Sequence, residues 1–169
     1  LLDPAGAERL RYHKMHPFSY AGEDEHYAAG DTLPTVQVGD VRLTALICYD
    51  LRFADPFLLA APDTDIFVVI ANWASARRHA WQSLLVARAI ECQSYVLGVN
   101  RVGEGDGVEF SGDSALLSPL GETLSSAAQE PALVMGRVSA DTVSDVRERY
   151  PFLSDRRPGL YRTLRSAES

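Results

Sequence analysis

The chain has 169 residues, 46% hydrophobic and 23% charged, the composition of one ordinary globular domain with enough apolar mass for a real core. Its formal charge is −7, and acidic and basic residues alternate along the whole length, so no basic stripe exists for phosphate backbones or anionic lipid; nucleic acid and membrane are poor partners. The most apolar run, Ile66 to Ala71, is far too short to span a bilayer and no charged-then-apolar leader opens the chain, which points to the cytoplasm.

The chain opens on Leu1-Leu2-Asp3-Pro4 without a methionine and reads as a piece of something longer. Leu1-Leu2 and Arg9 to His13 read as short strands around a Pro4-Ala5-Gly6 turn, and Lys14 to Gly30, rich in His, Gly, Glu, Asp and Tyr, reads as a long functional loop. Thr35 to Val38 and Val41 to Ile47 are β-rich runs joined by Gly39-Asp40, a tight hairpin. Asp55-Pro56 then supplies a cap and a first-turn proline for a short helix running to Ala61. Asp65 to Ile70 is a continuous apolar run, the pattern of a strand buried on both faces in a layered α/β protein. From Arg77 to Cys92 the residues Trp81, Leu84, Leu85, Ala89 and Cys92 recur at spacings of three and four, an amphipathic helix. Tyr95 to Val99, Ser114 to Leu117, Thr123 to Leu124 and Ala132 to Val138 read as strands, with a turn at Pro119 to Glu122. A polar helix from Asp141 to Tyr150 leads to a basic tail at Arg156-Arg157-Pro158-Gly159.

Cys48 carries the most chemical information. It stands where the apolar run Val41 to Ile47 stops, and a hydroxyl, a carboxylate and a guanidinium follow it in Tyr49-Asp50-Leu51-Arg52, a setting for a reactive thiol more than for a packed one. Upstream, Tyr12-His13-Lys14-Met15-His16 contains a lysine able to supply the positive charge that a thiolate needs. Cys92 falls on the apolar face of its helix and reads as core. Two thiols in a domain this large and apolar read as reduced, not as a Cys48–Cys92 bridge. His16, His26 and His79 lack metal-ligand spacing and no glycine-rich phosphate loop is present, so no cofactor or metal is expected.

Tyr12-His13-Lys14-Met15-His16-Pro17-Phe18 and Leu46-Ile47-Cys48-Tyr49-Asp50-Leu51-Arg52-Phe53 resemble the lysine and cysteine motifs of the nitrilase superfamily of carbon–nitrogen hydrolases. The resemblance continues through Ala71-Asn72-Trp73, His79-Ala80-Trp81, the helix Ala87-Arg88-Ala89-Ile90-Glu91, Asn100-Arg101-Val102-Gly103, Gly112-Asp113-Ser114 and Pro119-Leu120-Gly121-Glu122, and so covers essentially the whole chain. The loop from Ala21 to Gly30 and the Ala-Asn-Trp run are most similar to the omega-amidase-like branch. The resemblance implies an α/β fold, a four-layer α-β-β-α sandwich, with residues 1–169 forming the C-terminal two thirds of one carbon–nitrogen hydrolase domain. It also implies a cysteine, a lysine and two glutamates, the first of them on an upstream segment with no counterpart in this sequence. Family members typically dimerise, and the basic tail around Arg156 to Tyr161 is a candidate subunit contact.

Carried over residue by residue, the resemblance makes Cys48 the nucleophile, Lys14 the stabiliser of thiolate and oxyanion, and Glu23, nine residues after Lys14, the second glutamate, with Glu25 as its near neighbour. Tyr49 contributes its backbone N–H, while Asn72 and Trp73 follow a strand end, a usual place for ligand contacts. Arg101, and beside it Arg77 and Arg78, are candidates to hold a substrate carboxylate. Arg52 reads as an ion-pair partner of Asp50. The expected reaction is hydrolysis of a small omega-amide of a dicarboxylic or keto-dicarboxylic acid through a Cys48 thioester, with ammonia released. Two alternatives compete: an inert or ligand-binding remnant lacking its general base, and a Cys-His hydrolase using His16 or His26.

Overall fold

The computed structural model describes residues 1–166. Strands β1 (Thr35–Val38) and β2 (Val41–Ile47) form the expected antiparallel hairpin over Gly39-Asp40. From β2 the chain passes through a 3-10 turn, Cys48–Arg52, and helix α1 (Ala54–Ala60) to β3 (Ile66–Ala71); helix α2 (Arg78–Cys92) then leads to β4 (Tyr95–Asn100). β2, β3 and β4 are parallel neighbours, each reached through a helical crossover. A separate hairpin, β5 (Val102–Gly105) and β6 (Val108–Ser111), precedes β7 (Ser114–Leu117) and β8 (Thr123–Ala127), which extend the sheet antiparallel beyond β4. The sheet order is β1-β2-β3-β4-β7-β8. Helices α3 (Ala140–Arg149) and α4 (Pro158–Ser166) close the described chain.

The alternation of each strand divides its residues between two faces. Leu46, Phe67, Val69, Val96 and Leu117 turn to one face and pack with Phe57 of α1 and Trp81, Leu85, Ala89 and Cys92 of α2 in the main core. The α2 residues are those the spacing of three and four selects, and each large one, fully buried, contributes about 1.5–3 kcal/mol. Val41, Ile66, Tyr95 and Leu116 turn to the other face, where Val143 of α3 covers them with Val134 and Val138 alongside. That second face is open at the carboxyl ends of the strands, where Ile70 and Val99 are 52% and 42% exposed. Of the four layers expected, the described residues supply one main sheet with α1 and α2 layered on one face, while α3 covers part of the other. Asp65, which bounds β3, accepts hydrogen bonds from the Arg42 backbone N–H and guanidinium at 2.8–3.1 Å, tying the starts of β2 and β3 together.

Three expectations are corrected. Leu1-Leu2 and Arg9 to His13 are not strands: the segment makes a single bridge, Leu2 with Glu8, because the Asp3 carboxylate accepts from the N–H groups of Ala5 and Ala7 and closes a local turn. Ala132 to Val138 is irregular; Val134 and Val138 face the second cluster while Leu133 and Met135 face outward, so the apolar alternation is satisfied by lying across the sheet without joining its ladder. Residues 102–111 form a hairpin that the strand reading passes over. Its signal is Asp106-Gly107, both at positive φ, the two-residue turn that suits a tight hairpin.

Gly98 lies in β4 where α2 crosses the sheet. A Cβ there would come within 2.5 Å of Leu85 Cδ1 and 2.9 Å of Trp81 Cζ2, so the close approach of helix and strand depends on the missing side chain. Gly98→Ala is expected to destabilise the fold by about 1–3 kcal/mol through overpacking. Urea unfolding followed by tryptophan fluorescence measures it, and an unchanged midpoint would contradict this packing.

Candidate active site

Cys48 is the first residue past β2 and has φ 46°, a left-handed backbone rare for a residue with a side chain. The reversal aims the thiol off the strand end into a cavity of about 570 Å³ lined by Lys14, Phe18, Glu23, Asn72, Asn100 and Arg101, among others. The turn behind it is held from the helix layer: the fully enclosed Arg88 of α2 donates to the Leu51 carbonyl at 2.9 Å and lies over the Phe57 ring. Arg88 falls on the buried stripe of α2, three residues after Leu85 and four before Cys92, yet the sequence reading gives it no role beyond its place in the run Ala87 to Glu91.

Lys14 reaches the same cavity from the long loop. Its Nζ donates to Glu23 Oε2, and the Phe18 N–H donates to that same oxygen at 2.6 Å. Glu23, not Glu25, is therefore the lysine's partner, as the spacing suggested. Gly30 closes the loop: its N–H donates to the Lys14 carbonyl at 2.8 Å, and a Cβ on it would collide with the His13 carbonyl oxygen.

Asp50 is the residue whose part here the sequence reading missed. Its carboxylate is fully buried and accepts four hydrogen bonds, from Tyr12 Oη (2.8 Å), the Ile47 N–H (3.0 Å), the His16 N–H (3.0 Å) and His16 Nδ1 (2.8 Å). His16, stacked on Phe53, turns its ring to Asp50 and lines neither cavity at Cys48, which removes the geometry that a Cys-His pair would need. Arg52 is not the expected ion-pair partner of Asp50. It lies over the Trp73 ring with its guanidinium carbon 4.9 Å from the centroid, because Tyr12 and His16 already fill the carboxylate.

The ends of β3 and β4 supply the opposite wall. The Asn72 backbone N–H faces the Cys48 sulfur and favours its thiolate, while the Asn72 side chain is exposed to the cavity. Trp73 is buried, its ring tilted against that of Trp81 in the core, and it borders only a small second cavity beside Tyr49, Arg52 and Arg77. Asn100, quoted in its motif but given no role of its own by the sequence, spans the gap: it accepts from the Trp73 N–H and donates to the carbonyls of Trp73 and Gly112. The three arginine candidates separate. Arg78 is bound to the buried Asp113 at 2.6 Å and is structural; Arg77 lies over Phe18 at the edge of the small cavity; Arg101 lines the large one, packed on Phe110.

Burial pushes the Cys48 thiol above its ordinary value, while the charge of Lys14 and the Asn72 N–H pull it down and the charges of Glu23 and Asp50 push it up again. Glu23 is affected in the reverse direction: burial resists its ionisation, but the hydrogen bonds from Lys14 and Phe18 outweigh it and hold the carboxyl below its usual range. Cys92 is the inert contrast, a fully buried free thiol pushed up to about 12 by burial and the charge of Glu91. Both cysteines are free. Among the described residues, no cluster of His, Cys, Asp and Glu is arranged to hold a metal ion.

A cysteine-bearing strand end facing a lysine–glutamate pair is the arrangement expected from the motifs. The carbon–nitrogen hydrolase family model matches residues 1–148, and the chain belongs to that family. The proteins it is similar to include omega-amidases and 2-oxoglutaramate amidases. It is 41% identical over 157 residues to an omega-amidase of Yersinia enterocolitica, covering 92% of this chain and 60% of that protein. It is 36% identical over 167 residues to a 2-oxoglutaramate amidase of Paenarthrobacter nicotinovorans, covering 95% and 57%. Among solved structures, a CN-hydrolase superfamily protein of Xanthomonas campestris with an arsenic adduct in its active site superposes with a TM-score of 0.83 at 36% identity, over 91% of this chain and 61% of that one. An amidase mutant from Nesterenkonia sp. AN1, with the acetamide moiety of fluoroacetamide added covalently at its active-site cysteine, superposes with a TM-score of 0.76 at 28% identity, over 90% and 55%. The chain spans about three fifths of the length of these relatives.

The charges around Cys48 set a pH dependence. Because the thiol lies above its ordinary value, alkylation by iodoacetamide is expected to rise with pH through and beyond the range of a free thiol. Lys14→Met removes a charge that lowers the thiol's pKa, so it moves the profile to still higher pH and slows alkylation at neutral pH. A profile unchanged by Lys14→Met, followed by peptide mass spectrometry, would contradict the contact.

Proposed function

We propose that the protein is a thiol amidase acting on small omega-amides of dicarboxylic or keto-dicarboxylic acids. The observation that carries this reading is the cavity that Cys48 shares with the Lys14–Glu23 pair. The Cys48 thiol ionises and its thiolate adds to the amide carbonyl carbon; the proton it gave up passes to the departing nitrogen as the tetrahedral intermediate collapses, ammonia leaves, and water hydrolyses the thioester to the free acid and the thiol. Lys14 and the Tyr49 backbone N–H stabilise the oxyanion, a preorganised donor of this kind lowering the barrier by about 3 kcal/mol. Glu23 holds Lys14 in place and is ill suited to accept a proton, since its carboxylate is committed to Lys14 and the Phe18 N–H. It is also the only carboxylate among the described residues lining the large cavity, so no residue described here is assigned as the general base for deacylation.

Asn72 and Arg101 form the substrate wall, with Arg101 the group for the distal carboxylate, since guanidinium pairs with carboxylate in two parallel hydrogen bonds. Trp73 acts from behind, fixing the turn that presents Asn72. The names of the amidase relatives support the omega-amide class. Self-association is assigned to the C-terminal region, where Leu160, Tyr161 and Leu164 of α4 are exposed, and the cytoplasm is the compartment that fits two free thiols. No helix of the described residues is long and apolar enough to cross a membrane.

Ammonia release from a panel of monoamides tests the reading. Cys48→Ala is expected to bring release to background, and Arg101→Ala to raise KM for the acidic omega-amides while leaving neutral amides of the same length unaffected. Release that persists without Cys48 would sink the thioester route; equal turnover of neutral and acidic amides by the unaltered protein would sink the substrate class.

A further inference from the structure

We propose that Asp50 is a positioning residue whose carboxylate sets the placement of Lys14 against Cys48. The inference rests on the reading of Cys48 as nucleophile and Lys14 as its electrostatic partner, and it adds the residue that joins the two. Lys14 and Cys48 come from segments far apart in sequence, a loop and a strand end, and no regular ladder connects them. Asp50 does. One oxygen accepts from Tyr12 Oη and from the Ile47 N–H, the last amide of β2 before Cys48; the other accepts from both the backbone and the ring of His16. Tyr12 and His16 stand two residues before and two after Lys14, so one carboxylate grips the loop on both sides of the lysine and the strand on the near side of the cysteine. Tyr12 Oη also accepts from the Met15 N–H at 3.1 Å, which extends the grip to the residue next to Lys14.

The chemistry at this position is not what simple packing calls for. A fully buried carboxylate loses its hydration, and no lysine or arginine among the described residues forms an ion pair with it; its one ionisable partner within salt-bridge distance is His16. An apolar side chain would fill the space under the turn with less desolvation cost, but it would accept nothing from Tyr12, His16 or Ile47. Four donors converging on two oxygens fix directions as well as distances, which is what holding a flexible lysine loop at an electrostatic contact requires. Tyr12 keeps its proton for this contact, its hydroxyl pushed well above the usual range by burial and by Asp50.

The test separates placement from charge. The charged groups facing Cys48 are Lys14, Glu23 and Asp50, with Arg101 on the large cavity and Arg52 and Arg77 on the small one. Asp50→Asn has two opposed effects: deleting a negative charge eases ionisation of the thiol, whereas loosening Lys14 hinders it. Tyr12→Phe removes one grip with no change of charge. Each is made in the unaltered protein and in Lys14→Met, and the pH profile of Cys48 alkylation by iodoacetamide is followed by peptide mass spectrometry, with the buried Cys92 as internal control. Tyr12→Phe is expected to slow alkylation at neutral pH severalfold when Lys14 is present and to change nothing in Lys14→Met. Asp50→Asn is expected to slow alkylation in the presence of Lys14 and to leave it unchanged or faster in Lys14→Met. The same shift in both backgrounds, or none in either, would overturn the positioning role, and if Asp50→Asn does not fold, Tyr12→Phe decides. A profile that Lys14→Met itself leaves unaltered would remove the electrostatic role of Lys14, and positioning with it, while leaving Cys48 as nucleophile untouched.

Discussion

Three parallel strands that end at one level organise everything above them. In the register of β2, β3 and β4, Ile47 lies opposite Ile70 and Ile70 opposite Val99, so Cys48 leaves the sheet at the level of the last paired residues, Ala71 and Asn100, and Asn72 and Arg101 follow one position later. Because parallel strands all point the same way, the loops that follow them collect at a single edge, where a cysteine, an amide-bearing turn and an arginine meet without any of the three segments being long. The helices that make the parallel connections are also the main core: α1 and α2 bury the face beneath this edge, and Arg88 reaches from α2 to the Leu51 carbonyl to brace the turn that carries Cys48.

On that frame the electrostatics are a balance of opposites. Burial makes the Cys48 thiol hard to ionise, and the carboxylates of Glu23 and Asp50 add to the difficulty, while Lys14 and the Asn72 N–H work against both. Glu23 thus raises the thiol's pKa by its charge and, in the proposed mechanism, aids it by holding the lysine, and Asp50 does the same through hydrogen bonds. A site of this kind is sensitive to placement more than to composition, since in a partly dry cavity the attraction between lysine and thiolate falls off steeply with a small displacement. The cavity also opens toward the uncovered part of the sheet, past Ile70 and Val99, so its walls as described are those of the strand ends and the loop alone.

The legible parts of this fold are those with strong periodicity or strong punctuation. The helix from residue 78 to 92 follows from Trp81, Leu85, Ala89 and Cys92 on one face, the β1–β2 hairpin from Gly39-Asp40, and the buried central strands from their unbroken apolar runs. Segments whose apolar pattern was satisfied by something other than a ladder misled: residues 132–138 alternate like a strand yet pack Val134 and Val138 on an existing face. The β5–β6 hairpin was overlooked because Val102–Gly105 holds two glycines and little apolar weight, although Asp106-Gly107 marks its turn.

For the site, the sequence by itself determined the chemistry: a cysteine at a strand end, a lysine in a polar loop and a glutamate nine residues beyond it are local statements, and each residue carries its reactivity with it. Only the tertiary structure decided which groups answer one another. It paired Lys14 with Glu23 and not Glu25, put Arg78 on Asp113, laid Arg52 on Trp73, and gave Asp50 to Tyr12 and His16. The physical reason is that a hydrogen bond or ion pair depends on direction and separation within a few ångströms, and those follow from how the loop, the turn and α2 pack together, which no spacing along the chain encodes.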